Sequence, residues 1–430
     1  MKKFLFSLFL LLPVFLCARE SDVYIGLSSR YNPNDLPKIG LAANVYPENA
    51  TEDEKQYSNL FAEVLRSDLY RSRYFNIEET EPAQISSLGQ QFSSLERKNI
   101  LYYVFFNFIA TENEDVWQIK AFLYDTSNKK ALLGKSFKVP LRSVRKSAHI
   151  FADQIIKMLT GKRGLSTTRI AFANDNSGRK EIYIVDYDGY NLTKLTNDKS
   201  IAILPRWGAD GTKLYYTTYR NRNPQIYVLD LKEGASSPVM KDKGLNLIGG
   251  VSPDNRKLVM TLSRGENPSI YLKELSSGRL MQLTDKYGVD GSPSFSPDGK
   301  FVTFVSNRAG NPQIYIMNLE TKQTRRLTKF NWTDSPQWSP NGDWIAFAGR
   351  QEAGHPIDIF LVDITGGQIR QLTADSGSNE DPWWSPDGRF IAFTTNRAGK
   401  RQIYVMDADG SAQHLVANIK GNSFTPSWSD

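Results

Sequence analysis

Two sets of polar residues recur at fixed places in the C-terminal two thirds of the chain. The first set, acidic and hydroxyl residues, stands at the start of short segments that end in an aromatic residue: Asp290, Ser292, Asp334, Ser335, Glu380, Asp381 and Thr425. The second set consists of arginines that stand seven residues before a tyrosine: Arg220, Arg264, Arg308 and Arg397. Carboxylates and guanidinium groups that meet in a fold can pair with each other or hold a polar ligand.

Catalytic and cofactor signatures are absent from the sequence. It contains no G-x-S-x-G nucleophile elbow, no phosphate loop and no dinucleotide fingerprint. The only histidines, His149, His355 and His414, have no metal-ligand spacing, which predicts surface or packing roles for them. The aspartates of the repeated Ser-Pro-Asp-Gly segments suit a turn, because Asp caps its own backbone. We therefore predict no catalytic residue, no metal site and no cofactor.

Residues 291–328 are the unit that positions both polar sets. The unit reads as four strands, namely an inner strand ending at Phe295, a second at Phe301–Ser306, a third at Gln313–Asn318 and a fourth around Arg326-Leu327-Thr328. The Asp-Gly of Ser296-Pro297-Asp298-Gly299 lies between apolar alternating runs, which is a strong hairpin signal. Such a unit cannot bury both faces of its sheet alone, so stacked copies are required.

The copies are present at intervals of 43 to 46 residues. The residue that ends each inner strand recurs at Trp207, Val251, Phe295, Trp338, Trp384 and Trp428. The array begins at Arg169–Phe172, which matches a second strand, and stops at 426–430, which matches an inner strand. We therefore predict an all-β propeller of six blades in which the C-terminal strand completes the first blade.

In this propeller both polar sets lie on one face. The first set approaches the inner strands, and the arginines lie in the loops between second and third strands; Arg350 is offset by a longer loop, and Asn176 takes the place in the first blade. Mutual pairing that braces the loops is favoured for the arginines, because partly buried charges are normally paired. For the acidic set, bracing and ligand binding both stay open, because channel mouths are where propellers bind ligands.

The N-terminal third predicts a different domain behind a leader. Residues 1–18 combine a basic start with a short apolar run, which predicts a cleaved secretory signal, although Cys17 leaves lipidation as an alternative. Residues 19–161 mix helices and strands and predict a small α/β domain, 162–168 a linker and 169–430 the propeller. The net charge of +7 is spread without a basic stripe, which argues against nucleic-acid binding.

Local signals mark the elements of the small domain. Strands are predicted at Asp22–Ser28, Lys38–Tyr46 and Tyr74–Glu78, followed by three more between 100 and 139. Thr51-Glu52-Asp53-Glu54 is a capping box that begins a helix. A weaker helix is predicted near Phe92–Lys98, and a last helix is ended by Gly161.

Three segments resemble a known family. They are Leu159-Thr160-Gly161-Lys162-Arg163-Gly164, Thr168-Arg169-Ile170-Ala171-Phe172 and Asp186-Tyr187-Asp188-Gly189-Tyr190-Asn191. With the leader, the small α/β domain and six blades in the same order, the whole chain is similar to the TolB family of the Tol-Pal envelope system. The sequence departs from the repeat at Val251 and at Gly208-Ala209-Asp210, which stands in place of Ser-Pro-Asp.

The resemblance implies a non-enzymatic, monomeric periplasmic adaptor that supports outer-membrane integrity and cell division. In the family, the propeller mouth binds the peptidoglycan-associated lipoprotein Pal, and the segment after the leader binds the inner-membrane protein TolA. That segment corresponds to residues 19–32 here and includes Arg19, Glu20, Val23, Tyr24 and Ile25. Two other classes stay open: a hydrolase or peptidase accessory, and a binding module for a solute or cell-wall fragment.

Overall fold

The computed structural model describes residues 36–42, 51–80, 88–112, 116–285 and 287–430. The predicted leader, the strand Asp22–Ser28 and the segment 19–32 lie outside these ranges. Within them, no helix combines the length and the apolar character that crossing a bilayer requires.

A five-stranded sheet with three helices forms the N-terminal domain. Its elements are β1 (Lys38–Ala42), α1 (Glu52–Arg71), β2 (Asn76–Thr80), α2 (Leu88–Arg97), β3 (Tyr102–Ala110), β4 (Val116–Asp125), β5 (Lys130–Pro140) and α3 (Val144–Thr160), with a 3₁₀ turn at Leu141–Ser143. The strand order is β2-β1-β3-β4-β5, with β1 parallel to both of its neighbours and the other pairs antiparallel. Side chains of α1 and α3, including Phe61 and Phe151, share one apolar core with β1, β3 and β4.

The helix ends follow the local sequence. The Thr51 amide donates to Glu54 Oε2 at 2.6 Å, and the Glu54 amide donates to Thr51 Oγ1 at 3.2 Å, which confirms the capping box. Gly161 ends α3 at φ 69°, a conformation that glycine adopts without a Cβ penalty. The strand predicted from Tyr74 begins instead at Asn76, because Arg73 at φ 60° and the Tyr74 amide bonded to Ser72 Oγ form a turn.

Six four-stranded antiparallel sheets form the propeller. The first contains β6 (Arg169–Asn174), β7 (Glu181–Asp186), β8 (Thr193–Lys194) and the C-terminal β29 (Ser423–Trp428); the second contains β9 (Ala202–Trp207), β10 (Lys213–Asn221), β11 (Asn223–Asp230) and β12 (Ser236–Met240); the third contains β13 (Asn246–Val251), β14 (Lys257–Leu262), β15 (Ser269–Glu274) and β16 (Leu280–Gln282). The fourth contains β17 (Asp290–Phe295), β18 (Phe301–Ser306), β19 (Gln313–Asn318) and β20 (Thr324–Arg326); the fifth contains β21 (Trp332–Trp338), β22 (Trp344–Arg350), β23 (Asp358–Asp363) and β24 (Ile369–Gln371); the sixth contains β25 (Asn379–Trp384), β26 (Phe390–Thr395), β27 (Gln402–Asp407) and β28 (His414–Leu415).

The C-terminal strand closes the ring as predicted. β29 pairs with β6 in antiparallel register, with Trp428 opposite Ile170 and Ser423 opposite Asn174. The Trp428 indole N–H also donates to Thr168 Oγ1 at 2.8 Å. Sequence-distant ends therefore share one blade, and its sheet has no missing inner strand.

A Ser–Asp turn bond recurs in the third, fourth and sixth blades, and a threonine hydroxyl receives a main-chain amide in the first, third, fourth and fifth. In the fourth blade, Ser296 Oγ donates to Asp298 Oδ1 at 2.6 Å, and Gly299 has φ 68°, so the Asp-Gly pair forms the predicted turn. The fourth strand ends at Arg326, earlier than predicted, because Thr328 Oγ1 replaces a main-chain acceptor and receives the Ile314 amide at 2.9 Å.

The ring closure can be tested by truncation. Deleting residues 424–430 should lower the thermal midpoint of the whole protein, because the first blade loses its inner strand and both adjacent interfaces lose apolar contact. Calorimetry of the truncated and full chains would measure this loss. A form that lacks only Asp430 is the matched control and should melt close to the full chain, whereas full stability of the long truncation would contradict the closure.

The blade interfaces can be tested at Trp384. This side chain is 4% exposed, packs against Trp344 and Phe393, and donates its indole N–H to Gln337 O of the neighbouring blade at 3.1 Å. Trp384→Ala should cost about 3–5 kcal/mol of unfolding free energy in urea titrations. Tyr287→Ala is the control, because Tyr287 is 87% exposed, and an equal effect of the two changes would argue against the interface.

Candidate docking site at the channel mouth

Five of the six inner strands bend at the end that carries the first polar set. Leu204, Ser292, Ser335, Asp381 and Thr425 have φ between 49° and 54°, and each immediately precedes a proline. The pairing of each inner strand with its neighbour shifts register at this point. Such conformations are costly for non-glycine residues and mark bulges that turn a side chain away from the regular pleat. We call this rim of five residues and their preceding neighbours the channel mouth.

Five predicted residues form one hydrogen-bonded chain across four blades of the mouth. Ser292 Oγ donates to Asp334 Oδ1 at 2.8 Å, and the Ser335 amide donates to the same oxygen at 2.7 Å. Ser335 Oγ then donates to Asp381 Oδ1 at 3.2 Å, and the Thr425 amide donates to Asp381 Oδ2 at 3.3 Å. The structure therefore brings together Ser292, Asp334, Ser335, Asp381 and Thr425.

Glu380 and Asp290 are placed differently from these five. Glu380 is half-buried and pairs with Arg401 at 2.8 Å. Asp290 is fully buried at 0% exposure, and its carboxylate faces Arg308 at 3.3 Å. Asp290 borders the upper part of the channel, but its carboxylate is buried against Arg308, so this member of the first set braces a loop.

The arginine set braces loops. Arg220 Nη2 lies 2.5 Å from Asp198 Oδ1, Arg264 pairs with Asp242 and Arg308 pairs with Asp290. Arg397 donates to Asn379 Oδ1 at 3.2 Å, in the position that Asp290 has in its own blade. Three of these guanidinium groups also lie over the tyrosine seven residues later: Arg220 over Tyr227, Arg308 over Tyr315 and Arg397 over Tyr404, at 4.2, 5.2 and 4.7 Å. These contacts support the bracing interpretation and explain the fixed spacing.

Arg206 is a site residue that the sequence reasoning missed. Its Nε donates to Gly249 O at 2.8 Å, and its guanidinium lies 4.6 Å from the ring centre of Trp383. It borders both an upper cavity of about 320 Å³ at the mouth and a lower cavity of about 310 Å³ lined by tryptophans and prolines. Arg206 thus divides the channel. The sequence holds one signal for Arg206. It directly precedes the last residue of its inner strand, and the other five inner strands have an uncharged residue at this position: Gly250, Ser294, Gln337, Trp383 and Ser427.

The mouth concentrates negative charge in a poorly solvated place. Burial, together with the neighbouring Glu380 and Asp334, raises the pKa of Asp381 to about 6, although Arg206 and the Ser335 hydroxyl act in the opposite direction. Burial also raises the pKa of Asp334, despite its bonds from Ser292 and the Ser335 amide. Burial lowers the pKa of Arg206 to about 10, so this side chain stays cationic at neutral pH. The upper part of the channel therefore carries negative charge, and the cation of Arg206 lies below it.

Histidine residues play no part in the mouth, but one of them has an unexpected place. His149 is buried, and its Nδ1 lies 2.7 Å from Asp68 Oδ2, while Nε2 lies 3.5 Å from Asp188 Oδ2. Ligand atoms of the three residues lie within 4.8 Å of one another. However, Tyr187 and His149 occupy the two Asp68 oxygens and Arg145 pairs with Asp188. The cluster is therefore better described as an ion-paired network than as a metal site.

The fold and the mouth together define a class of protein. It is a closed six-bladed propeller with an acidic channel entrance, and a small α/β domain precedes the propeller in the sequence. The model of the TolB β-propeller domain matches residues 156–430. The chain therefore belongs to the TolB β-propeller family.

Individual relatives agree with this assignment. The Tol-Pal system protein TolB of Desulfosudis oleivorans is 34% identical over 221 residues, which cover 50% of this chain and 49% of that protein. The protein of the same name from Geobacter sulfurreducens is 36% identical over 166 residues, 38% of each chain. The matched regions thus span about half or less of these relatives. The crystal structure of TolB from Acinetobacter baumannii superposes with a TM-score of 0.77 at 28% identity, over 92% of this chain and 96% of that one.

The raised pKa of Asp381 predicts a pH dependence of stability. A carboxyl whose folded pKa is about 6, against 3.8 when unfolded, stabilises the fold below about pH 4, and this contribution is lost as the pH rises through 6. Asp381→Asn should flatten this loss and raise the unfolding free energy at pH 7 by about 2 kcal/mol relative to wild type.

Urea titrations between pH 4 and 7.5 measure this effect. Asp254→Asn is the matched control, because the Ser252 hydroxyl lowers the pKa of Asp254 and its loss should destabilise the protein at neutral pH. If the unfolding free energies of wild type and Asp381→Asn changed in parallel with pH, the raised pKa of Asp381 would be contradicted.

Proposed function

We propose that this protein is a non-enzymatic periplasmic adaptor of the Tol-Pal system, whose channel mouth docks a Pal-like outer-membrane lipoprotein. The observation that carries the proposal is the chain of Ser292, Asp334, Ser335, Asp381 and Thr425, which spans four blades at one channel entrance. Curated relatives are named Tol-Pal system proteins, which supports the same assignment. The predicted leader supports export to the periplasm.

The chemistry of the mouth favours a peptide segment with cationic or amide donors. Asp334 and Asp381 supply carboxylate oxygens in a poorly solvated place, where a charge-assisted hydrogen bond is strong. Apolar side chains stand beside this polar centre, because Ile201 and Val289 directly precede inner strands and are 42% and 46% exposed. Tyr287, in the same approach to the fourth blade, is 87% exposed. Aromatic side chains are enriched in protein interfaces, so these exposed apolar groups beside the mouth favour a protein partner.

A second partner surface is proposed outside the described residues. The segment 19–32, with Arg19, Glu20, Val23, Tyr24 and Ile25, is the part that the family resemblance assigns to a TolA-like inner-membrane protein. Through these two partners the protein would connect the outer and inner membranes and would support envelope integrity and cell division.

The upper cavity supports one alternative. Its volume of about 320 Å³ and the polar groups of Ser292, Asp334 and Ser335 within a largely apolar lining suit a small solute or a cell-wall fragment. A solute-binding protein would bind such a ligand in the absence of any protein partner, which separates the two functions experimentally.

Calorimetry with the soluble domain of a Pal-like lipoprotein tests the docking proposal. Asp381→Asn and Asp334→Asn should each weaken binding by about 2 kcal/mol or more, roughly thirtyfold, because each removes a desolvated central charge. Asp298→Asn is the matched control, because this aspartate lies in the turn at the other end of its blade and should leave the affinity unchanged. Removal of 19–32 should also leave this contact intact.

Full affinity in an Asp334→Asn, Asp381→Asn double variant that folds normally would contradict docking at the mouth. Tight binding of muropeptides to the wild-type protein, together with no binding of the lipoprotein domain, would favour the solute-binding alternative.

A further inference from the structure

We propose that His149 is a protonation-dependent clamp that fastens the N-terminal domain to the propeller. The residue lies on α3 and contacts α1 on one side and the turn after β7 on the other. This inference concerns the contact between the domains, so it does not depend on which partner occupies the channel mouth.

The geometry places one imidazole between two carboxylates from different domains. His149 Nδ1 lies 2.7 Å from Asp68 Oδ2 of α1, and its Nε2 lies 3.5 Å from Asp188 Oδ2 of the propeller. The side chains of His149, Asp68 and Asp188 are 5%, 0% and 5% exposed, so water does not replace these contacts. Nε2 makes no hydrogen bond in this geometry. With a proton on Nε2, the imidazolium of His149 would face the carboxylate of Asp188.

A charge count favours the protonated form. Two carboxylates, Asp68 and Asp188, stand against one guanidinium, Arg145, which pairs with Asp188. With both carboxylates ionised and His149 neutral, these four side chains carry one uncompensated negative charge, and with the imidazolium they are neutral. Burial raises the pKa of Asp68, so a proton on Asp68 is the competing way to neutralise the cluster. Burying an unpaired charge is costly, so protonation of His149 stabilises the docked arrangement.

The other groups around the imidazole do not alter this balance. Tyr187 donates its hydroxyl to Asp68 Oδ1 at 2.5 Å, and burial raises the pKa of this tyrosine well above its usual range, so it stays neutral. Arg71, on α1, is a further cation whose charge acts on Tyr187, and it borders the cavity beside the cluster. Burial alone would lower the pKa of His149, but the bond and charge of Asp68, with Asp188, outweigh it and raise this pKa above 6.5.

Arginine side chains make further contacts between the domains. Arg73 Nε faces Asp407 at 3.6 Å, Arg389 donates to Ser72 O, and the Arg389 guanidinium lies 3.9 Å from the Tyr74 ring centre. His414 lines the same interdomain cavity, but burial lowers its pKa, and it contacts its own backbone at Ala412 O. His149 is thus the histidine whose charge joins the two domains among the residues that the structure describes.

The direction of the pH effect follows from the raised pKa. The contribution of His149 is fully present below its unfolded pKa of 6.5 and is lost as the pH rises through the higher folded value. The domains are therefore held more tightly in mildly acidic than in mildly alkaline conditions, and a small pH change shifts the population of the undocked form.

Hydrogen exchange of the whole protein between pH 5.5 and 8.5 tests the clamp. After correction for the intrinsic rate, exchange in segments 64–71 and 186–190 should increase several-fold as the pH rises above 6.5. In His149→Gln these segments should exchange rapidly at every pH, with the pH dependence gone. His414→Gln is the matched control and should keep the wild-type profile.

A second measurement uses the wild-type protein alone, in case the variant does not fold. With three histidines in the chain, ¹³C-labelled histidine gives three NMR signals, and that of His149 should titrate at a higher pH than that of exposed His355, in step with the exchange. A His149 that stays neutral from pH 5.5 upward, or exchange independent of pH in both segments, would overturn the proposal. So would stoichiometric binding of Zn²⁺ that shifts the His149 signal at neutral pH.

Discussion

A ring of blades has no free end, and this constraint governs the rest of the structure. Each four-stranded sheet covers the apolar face of the next, so the apolar clusters run from blade to blade, as in the cluster that joins Trp344 of the fifth blade to Trp384 and Phe393 of the sixth. The cycle is completed only where β29 pairs with β6, more than 240 residues apart in the sequence. The final strand is therefore part of the first blade's core, and its Trp428 packs among residues of both the first and the sixth blade.

The same inner strands that close the ring also build the mouth. The end of these strands opposite the mouth carries the aromatic residues that pack between blades. The bulges at the mouth hold non-glycine residues at positive φ. This conformation is unfavourable in isolation and is maintained by the pairing on both sides of the strand. The hydrogen-bonded chain from Ser292 to Thr425 and the crossing Arg206 follow from this geometry, since six strands converge on a narrow channel. The inner strands thus determine both the stability of the ring and the arrangement of the polar mouth.

The sequence predicted most of the fold because its signals are local and repeated. The period of two in Phe301–Ser306, the Asp-Gly turns and the spacing of the aromatic residues each specify nearby backbone, and their repetition specifies the ring. The capping box at Thr51 was equally local. The candidate site was predicted less well, because its contacts join distant blades. Asp290 and Asp334 look equivalent in sequence, but they differ by one position in the strand, so Asp290 pairs with Arg308 whereas Asp334 accepts from Ser292 of the neighbouring blade. The contacts of Arg206 with Trp383 and of His149 with Asp68 and Asp188 depend on tertiary packing that no local pattern encodes.

We propose that a lipoprotein partner docks at the mouth formed by the inner strands. Hydrogen–deuterium exchange of the whole protein, with and without the saturating soluble domain of a Pal-like lipoprotein, tests it most directly, because it locates the contact without altering any residue. Exchange should become slower in segments around 287–292, 331–335 and 378–381, with no change in the turns around 298 and 341 at the opposite end of the blades. Protection confined to those opposite turns, or to the N-terminal domain, would contradict docking at the mouth.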